Sequence, residues 1–206
     1  NTFSGTHSIG KNAQLTISKA ANLGADSATV DLSDSGAELV LNGLTEALNN
    51  NLSGVTDSTI SLENAASVKL GGSNSGFNGT YALSGKSTLI ASDSDKLGTA
   101  ASVSLGSQDT LSLEGYNGTF ANQVTGQGTV SLSQASGVTL DQSQNLGTGI
   151  GVKIEDGSDL NLSGLETFDH ALTGYGALNI DANNKDFTFG STTGSAFFGQ
   201  VTLNNT

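Results

Sequence analysis

Cysteine, methionine, tryptophan and proline are all missing from this chain of 206 residues. Arginine is missing too, so the seven basic residues are all lysines: Lys11, Lys19, Lys69, Lys86, Lys96, Lys153 and Lys185. Without cysteine there is no disulfide scaffold and no thiolate metal site. A cysteine-free chain also suits passage through an oxidising compartment, where a premature disulfide would obstruct export. Seven cations against 19 anions give a net charge of −12. That balance supplies no basic footprint for nucleic acid, and anionic lipid would repel it. No run approaches the ~18 apolar residues of a spanning helix, so direct membrane insertion by this segment is not expected.

Charged residues make up 13% and hydrophobic residues 35%, both below the ~25% and ~45–50% usual in globular domains. Glycine, at 28 residues, takes part of that share. The apolar residues nevertheless recur in short, regular pairs, which disorder would not require. Val30-Asp-Leu32 precedes Leu39-Val-Leu41-Asn-Gly43; Val103-Ser-Leu105 precedes Leu111-Ser-Leu113-Glu-Gly115; Val152-Lys-Ile154 precedes Leu160-Asn-Leu162-Ser-Gly164. The unit is a short strand, a turn, a second short strand and a glycine. Alternation of apolar and polar residues is strand periodicity, with Leu39, Leu41, Leu111, Leu113, Leu160 and Leu162 pointing inward. Gly126-Gln-Gly128-Thr-Val130 and Gly174-Tyr-Gly176-Ala-Leu178 form a related unit. Helical period is confined to one stripe, Leu44, Leu48 and Leu52.

Val103, Val130, Val152 and Leu178 recur at intervals of roughly 20–27 residues, and a repeat of that length signifies a solenoid. Leucine-rich and hexapeptide signatures are missing. A Greek-key sandwich would not produce near-identical blocks headed by Phe3-Ser-Gly-Thr-His7 and Phe77-Asn-Gly-Thr-Tyr81. The reading is all-β: one right-handed parallel β-helix (a β-solenoid) over residues 1–206, with about eight or nine turns. The lack of proline fits, since each strand donates to its neighbours and proline would delete a ladder bond.

Phe3-Ser-Gly-Thr-His-Ser-Ile9 with Gln14-Leu-Thr-Ile17 and Asn22-Leu-Gly24 resembles the repeats of bacterial autotransporter passengers, as does the ending Gly194-Ser-Ala-Phe-Phe-Gly-Gln-Val201-Thr-Leu-Asn-Asn205. The style is similar to AIDA-like and self-associating autotransporter adhesins. The resemblance covers most of the chain, least clearly residues 44–76. It implies export through periplasm and outer membrane, display on the cell surface, and adhesion, aggregation or biofilm formation. The family's membrane barrel has no counterpart here. The chain opens at Asn1 inside a repeat, without a leader, and is expected to be a piece of a longer secreted protein.

No enzymatic role, cofactor or metal is expected. A serine-protease triad needs a histidine base, and only His7 and His170 exist. His7 fills the slot that Tyr81 fills in the matching repeat, which suits packing better than catalysis. Asp93/Asp95 and Asp156/Asp159 are the pairs a glycosidase could use, but they lie in turns where Asp commonly binds backbone. Gly71-Gly-Ser-Asn-Ser-Gly76 lacks the Asp of a Ca²⁺-binding β-roll. The aromatic residues Phe3, Phe77, Tyr116, Phe120, Phe168, Phe187, Phe189, Phe197 and Phe198 could form a carbohydrate platform, although a repeated apolar position in a solenoid is usually core.

The expected partner is therefore an identical rod on a neighbouring cell. The alternatives are a host glycan or matrix protein, or no partner at all if the chain is a passive stalk. The interval from Phe3 to Phe77 is longer than the one that follows, so residues 44–76 are read either as an outward loop or as an extra turn built on Ile60-Ser-Leu62 and Val68-Lys-Leu70, the loop then shrinking to 44–56. Within the loop Asn49, Asn50, Asn51 and Asp57 are the candidate binding residues.

Overall fold

A computed structural model describes residues 1–190 and 196–204, so Gly194, Ser195 and Asn205 of the family-like ending lie outside the described residues. The protein is all-β, 47% strand and 6% helix, and its parallel sheets stack into a β-solenoid of about nine turns. This is the parallel β-helix expected from the repeats. At ~4.8 Å per turn the stack is roughly 40 Å long.

Each turn visits three faces in the same order. The first face begins with Thr6–Ser8, Thr29–Leu32 and Asn51–Gly54. A bridge from Gly54 to Phe77 and the short helix Ser94–Leu97 occupy its middle. It resumes in Asn117–Thr119, Gly137–Leu140, Asp159–Ser163, Ala177–Asp181 and Gln200–Asn204. The second face runs from Gln14–Ile17 to Gln123–Gly126, and Thr167–Phe168 and Thr188–Phe189 follow farther along. The third face is one eight-stranded sheet from Ala47–Leu48 to Ala196–Phe197.

The register corrects the spacing read from sequence. The length of a turn varies along the rod, from the short step that pairs Asp159 with Ala177 to the long one that pairs Gln14 with Glu38. Val130 and Val152 are true partners. Val103 instead pairs with Val124, and Leu178 with Leu160. The longer intervals therefore run between different faces. The strand–turn–strand–glycine unit spans the corner from first to second face at Val30–Leu41, from second to third at Val103–Leu113, and from third to first at Val152–Leu162. One local unit serves all three corners because each asks the same of it: two short strands bent about one buried residue.

That residue is visible in the bonding. Ala37 N–H donates to Asp34 O (3.1 Å), Ser58 to Val55 (3.0 Å), Asp109 to Gly106 (3.1 Å) and Ser158 to Glu155 (3.0 Å). In each of these turns the last residue closes the turn and is buried. Where it is serine, its hydroxyl holds backbone inside the stack, as Ser136 does with Leu113 O and Ser133 O, both 2.7 Å.

The six inward leucines are all buried, with Leu39, Leu111 and Leu113 at 0% exposure. Alternation fails at Val40 and Ser61, adjacent partners on the second face that are also buried. Leu44, Leu48 and Leu52 are buried without a helix: Leu48 lies in Ala47–Leu48 and Leu52 in Asn51–Gly54, on different faces. Their i, i+4 spacing results from the short corner between those strands.

Polar groups inside the stack are paired, the Tyr81 hydroxyl excepted. Asn50 Nδ2 donates to Ala25 O (2.9 Å) and Ala28 O (3.1 Å). Asn74 donates to Lys96 O (2.7 Å) and accepts from Leu52 N–H (2.9 Å). Asn122 donates to Gly98 O (2.7 Å) and Ala101 O (2.8 Å), and Asn145 to Phe120 O (2.7 Å). His170 continues the series, its Nδ1 bonded to Ile150 O at 3.1 Å. These corner carbonyls have left the strand ladders, and a buried side chain binds each of them, in addition to a turn N–H at Ala25 O and Gly98 O.

The Phe-x-Gly heads also have a physical reason. Phe77 folds against Tyr81, with centroids 4.8 Å apart, and Phe3 against His7 at 4.5 Å. A Cβ at Gly79 would lie 2.8 Å from Phe77 Cζ and 2.4 Å from Ser58 O. Glycine is needed there so that the ring can cross its own backbone.

Candidate functional site

Residues 44–76 form the extra turn, not an outward loop: Asn49, Asn50 and Asp57 lie in short corners between strands and Asn51 opens a strand. Residues 44–76 contain Ala47–Leu48, Asn51–Gly54, Thr59–Glu63 and Ser67–Leu70, all in the parallel ladders. The segment is regular solenoid, and Ile60, Leu62, Val68 and Leu70 are core. Asn50 is 2% exposed and both its amide bonds point inward, so it is a corner support and unavailable to a partner. Asn49 is exposed and donates to Asp26 Oδ2 (3.1 Å). Asn51 is exposed, and its Oδ1 accepts from Ser73 N–H (2.9 Å). Asp57 is exposed and accepts a hydrogen bond from Ser35 Oγ. These three are separate surface groups, each bonded to a neighbouring turn, and do not converge on one site. The sequence could not separate Asn50 from its neighbours, because burial there depends on which carbonyls the preceding turn presents.

The flat faces carry ladders of outward side chains. On the first face Thr119, Thr139, Asn161, Asn179 and Thr202 are successive partners through five turns. Asn179 Nδ2 donates to Asn161 Oδ1 (3.0 Å), and Asn161 Nδ2 to Val138 O (3.3 Å). The ladder contains no ionised group. A shallow groove of about 290 Å³ follows it, lined by Thr139, Asn161, Asn179, Ser163, Asp181 and Asn204 among others. On the third face the corresponding row is Ile90, Ser112, Ser131, Lys153 and Thr173, with Lys153 paired to Glu155 at 2.5 Å. Nearer the start of the first face, Asp31 accepts from Ser33 Oγ (2.5 Å), Ser53 Oγ (3.1 Å) and Ser33 N–H (3.1 Å). These donors, Ser33 foremost, hold its carboxyl below the usual carboxylate range against the opposing effect of desolvation.

A more enclosed cleft of about 230 Å³ lies beside His170, with Ser143, Thr148, Thr167, Phe168 and Asp169 in its lining. His170 is 9% exposed and its ring meets Phe168 edge-on at 5.0 Å. Burial lowers its pKa, while the bond to Ile150 O and the charge of Asp169 oppose the shift. Asp93 caps the helix Ser94–Leu97 through Lys96 N–H (3.0 Å), the backbone role expected for it. Among the described residues no group of three or more His, Asp or Glu side chains is placed to hold a metal ion.

The aromatic residues grade from core to surface, with Phe187 and Phe197 partly buried and Phe3 and Phe189 each 41% exposed. Phe77, Tyr116, Phe120 and Phe168 are core. Tyr175 and Phe198 are 65% and 71% exposed and stack on each other, centroids 5.6 Å apart and planes 24° from parallel. This pair was not legible as a pair from sequence. The available signal is that Tyr175 stands between Gly174 and Gly176 and Phe198 stands before Gly199. Each aromatic directly follows one member of the Gly174–Phe197 register pair, so the two are separated by one turn of the stack.

No family model, curated protein or solved structure matches this chain.

Proposed function

We propose that this β-helix is a self-association segment of an autotransporter passenger, displayed on a bacterial surface and mediating cell–cell aggregation without an enzymatic step. The observation that carries the reading is the uncharged ladder Thr119–Thr139–Asn161–Asn179–Thr202. Two copies of a rod with net charge −12 repel each other. Contact then favours a strip without ionised groups, whose amides and hydroxyls both donate and accept and so can meet an identical strip. Each hydrogen bond contributes little net, about 0.5–1.5 kcal/mol, but many rods on each of two cells act together. The repeat style of the sequence supports the export and surface placement.

The test uses cells displaying the chain, mixed with labelled cells that do not. Clumps made only of displaying cells are expected. Replacing Asn161 and Asn179 with Asp should abolish clumping at unchanged display, because the facing strips then carry like charges. Clumps that recruit the non-displaying cells would instead indicate a heterophilic partner, and clumping unchanged in the Asn161→Asp/Asn179→Asp variant would refute this face.

A further inference from the structure

We propose that Tyr175 and Phe198, with the cleft beside Tyr175, form a binding site for a non-acidic pyranose sugar. At 65% and 71% they are the most exposed rings among the described residues of a chain that is only 5% aromatic, ahead of Phe3 and Phe189 at 41% each. The backbone that carries them is tied down. Tyr175 N–H and Gly176 N–H both donate to Ile154 O (2.9 and 3.0 Å), and Phe198 N–H donates to Gly174 O (2.9 Å). A Cβ at Gly176 would come within 2.4 Å of Ser158 O, and one at Gly199 within 1.8 Å of Gly176 O, so each corner is tight against the turn before it. The backbone beneath both rings is thus fixed before any ligand arrives, which lowers the ordering cost of binding.

Beside Tyr175 a cleft of about 240 Å³ is lined by Asp156, Gly157, Ser158, Asp159 and Gln200 with Gly176 and Ala177. Asp159, Ala177 and Gln200 are partners in three successive turns, so the polar groups line up along the rod beside the ring. A pyranose matches both parts. Its C–H face carries weak positive charge that the negative face of an aromatic ring attracts, and its hydroxyls donate to carboxylate and amide oxygens. The lining contains acids but no lysine, and nearby Lys153 is already paired with Glu155. A sulfated or uronic sugar is therefore disfavoured, and an amino sugar gains from the two aspartates. A peptide added as an extra strand is disfavoured as well, because the corner N–H groups of Ser158, Asp159, Tyr175, Gly176 and Ala177 are all spent within the protein.

The site is independent of the polar strip on the first face, and its test does not require association. Saturation-transfer NMR on the purified chain, with methyl β-glucopyranoside, glucosamine and glucuronate as probes, should show transfer to the ring C–H protons of the first two and none to glucuronate. Glucosamine should bind several-fold tighter. Tyr175→Ala and Phe198→Ala should each weaken binding about ten-fold, Tyr175→Phe should retain it, and Asn161→Asp/Asn179→Asp should leave it unchanged. Should an alanine variant fail to fold, Asp156→Asn/Asp159→Asn decides instead, by losing the preference for glucosamine over the glucoside. Absence of transfer to both sugars, transfer that survives in the Tyr175→Ala/Phe198→Ala double variant, or a preference for glucosamine intact without the two aspartates would overturn the proposal.

Discussion

Tyr81 offers the sharpest test of how this core is built. Its side chain is fully buried, aligned between Ile60 and Val103 of the neighbouring turns, and its ring lies against Phe77. Its hydroxyl is a buried polar atom with no hydrogen-bond partner, and burial pushes the phenol pKa far upward. A hydroxyl stripped of water without a replacement bond costs about 1–3 kcal/mol. Removing it also removes the van der Waals contacts of one oxygen, a loss of less than ~1 kcal/mol. Tyr81→Phe should therefore stabilise the protein by about 1 kcal/mol, near 2–4 °C in melting temperature for a chain of this size if unfolding is two-state. Tyr116 is the control. Its hydroxyl donates to Thr119 O at 3.3 Å, so Tyr116→Phe should be destabilising by ~0.5–1 kcal/mol. Urea unfolding of both variants, followed by circular dichroism, gives the two signs directly. A Tyr81→Phe protein less stable than the parent would refute the reasoning, since it would mean that the hydroxyl is satisfied.

Four further outcomes follow from the same packing. Leu113→Asp places a carboxylate between Ala91 and Leu132 in the dry stack and should cost several kcal/mol or more, with hydrogen exchange rising in the adjacent turns as well as its own; a confined effect would mean the turns are less coupled than the ladders imply. Asn122→Leu strips Ala101 O of its donor, while Gly98 O keeps the N–H of Ala101, and should cost ~1–3 kcal/mol, seen as a lower urea midpoint. Gly126→Ala puts a Cβ 2.0 Å from Leu105 O at a φ of 103° and should cost more than ~2 kcal/mol, whereas an unchanged melting temperature would place that corner elsewhere. His170 has a lowered pKa, so the unfolded chain binds its proton first, and stability should fall as pH drops through about 6.5 towards the folded value and level off below it. His170→Asn, which restores the amide used at Asn122 and Asn145, should remove that dependence in melts recorded between neutral and mildly acidic pH.

Much of the architecture was written locally. Paired apolar residues at period two, closed by a glycine, specify two short strands and a corner wherever they occur, because a pleated strand with one dry side admits few alternatives. The Phe-x-Gly heads and the absence of proline point the same way, and the burial of Leu39, Leu41, Leu111, Leu113, Leu160 and Leu162 follows from alternation alone. What the chain did not reveal was which face each unit occupies. The same unit fits all three corners, so equivalent residues such as Leu39, Leu111 and Leu160 lie on the second, third and first faces, and spacings counted between them mix turns with fractions of a turn. Tertiary stacking alone decided that phase, and with it the fate of every polar side chain. Asn49, Asn50 and Asn51 are alike in sequence, yet only Asn50 meets two corner carbonyls of the turn before it. Tyr175 and Phe198 stack because the third-face register sets Thr173 and Gly174 beside Ala196 and Phe197. A residue's chemistry is local, but its partners lie a full turn away along the chain, and turns of unequal length fix those partners only once the helix has closed on itself.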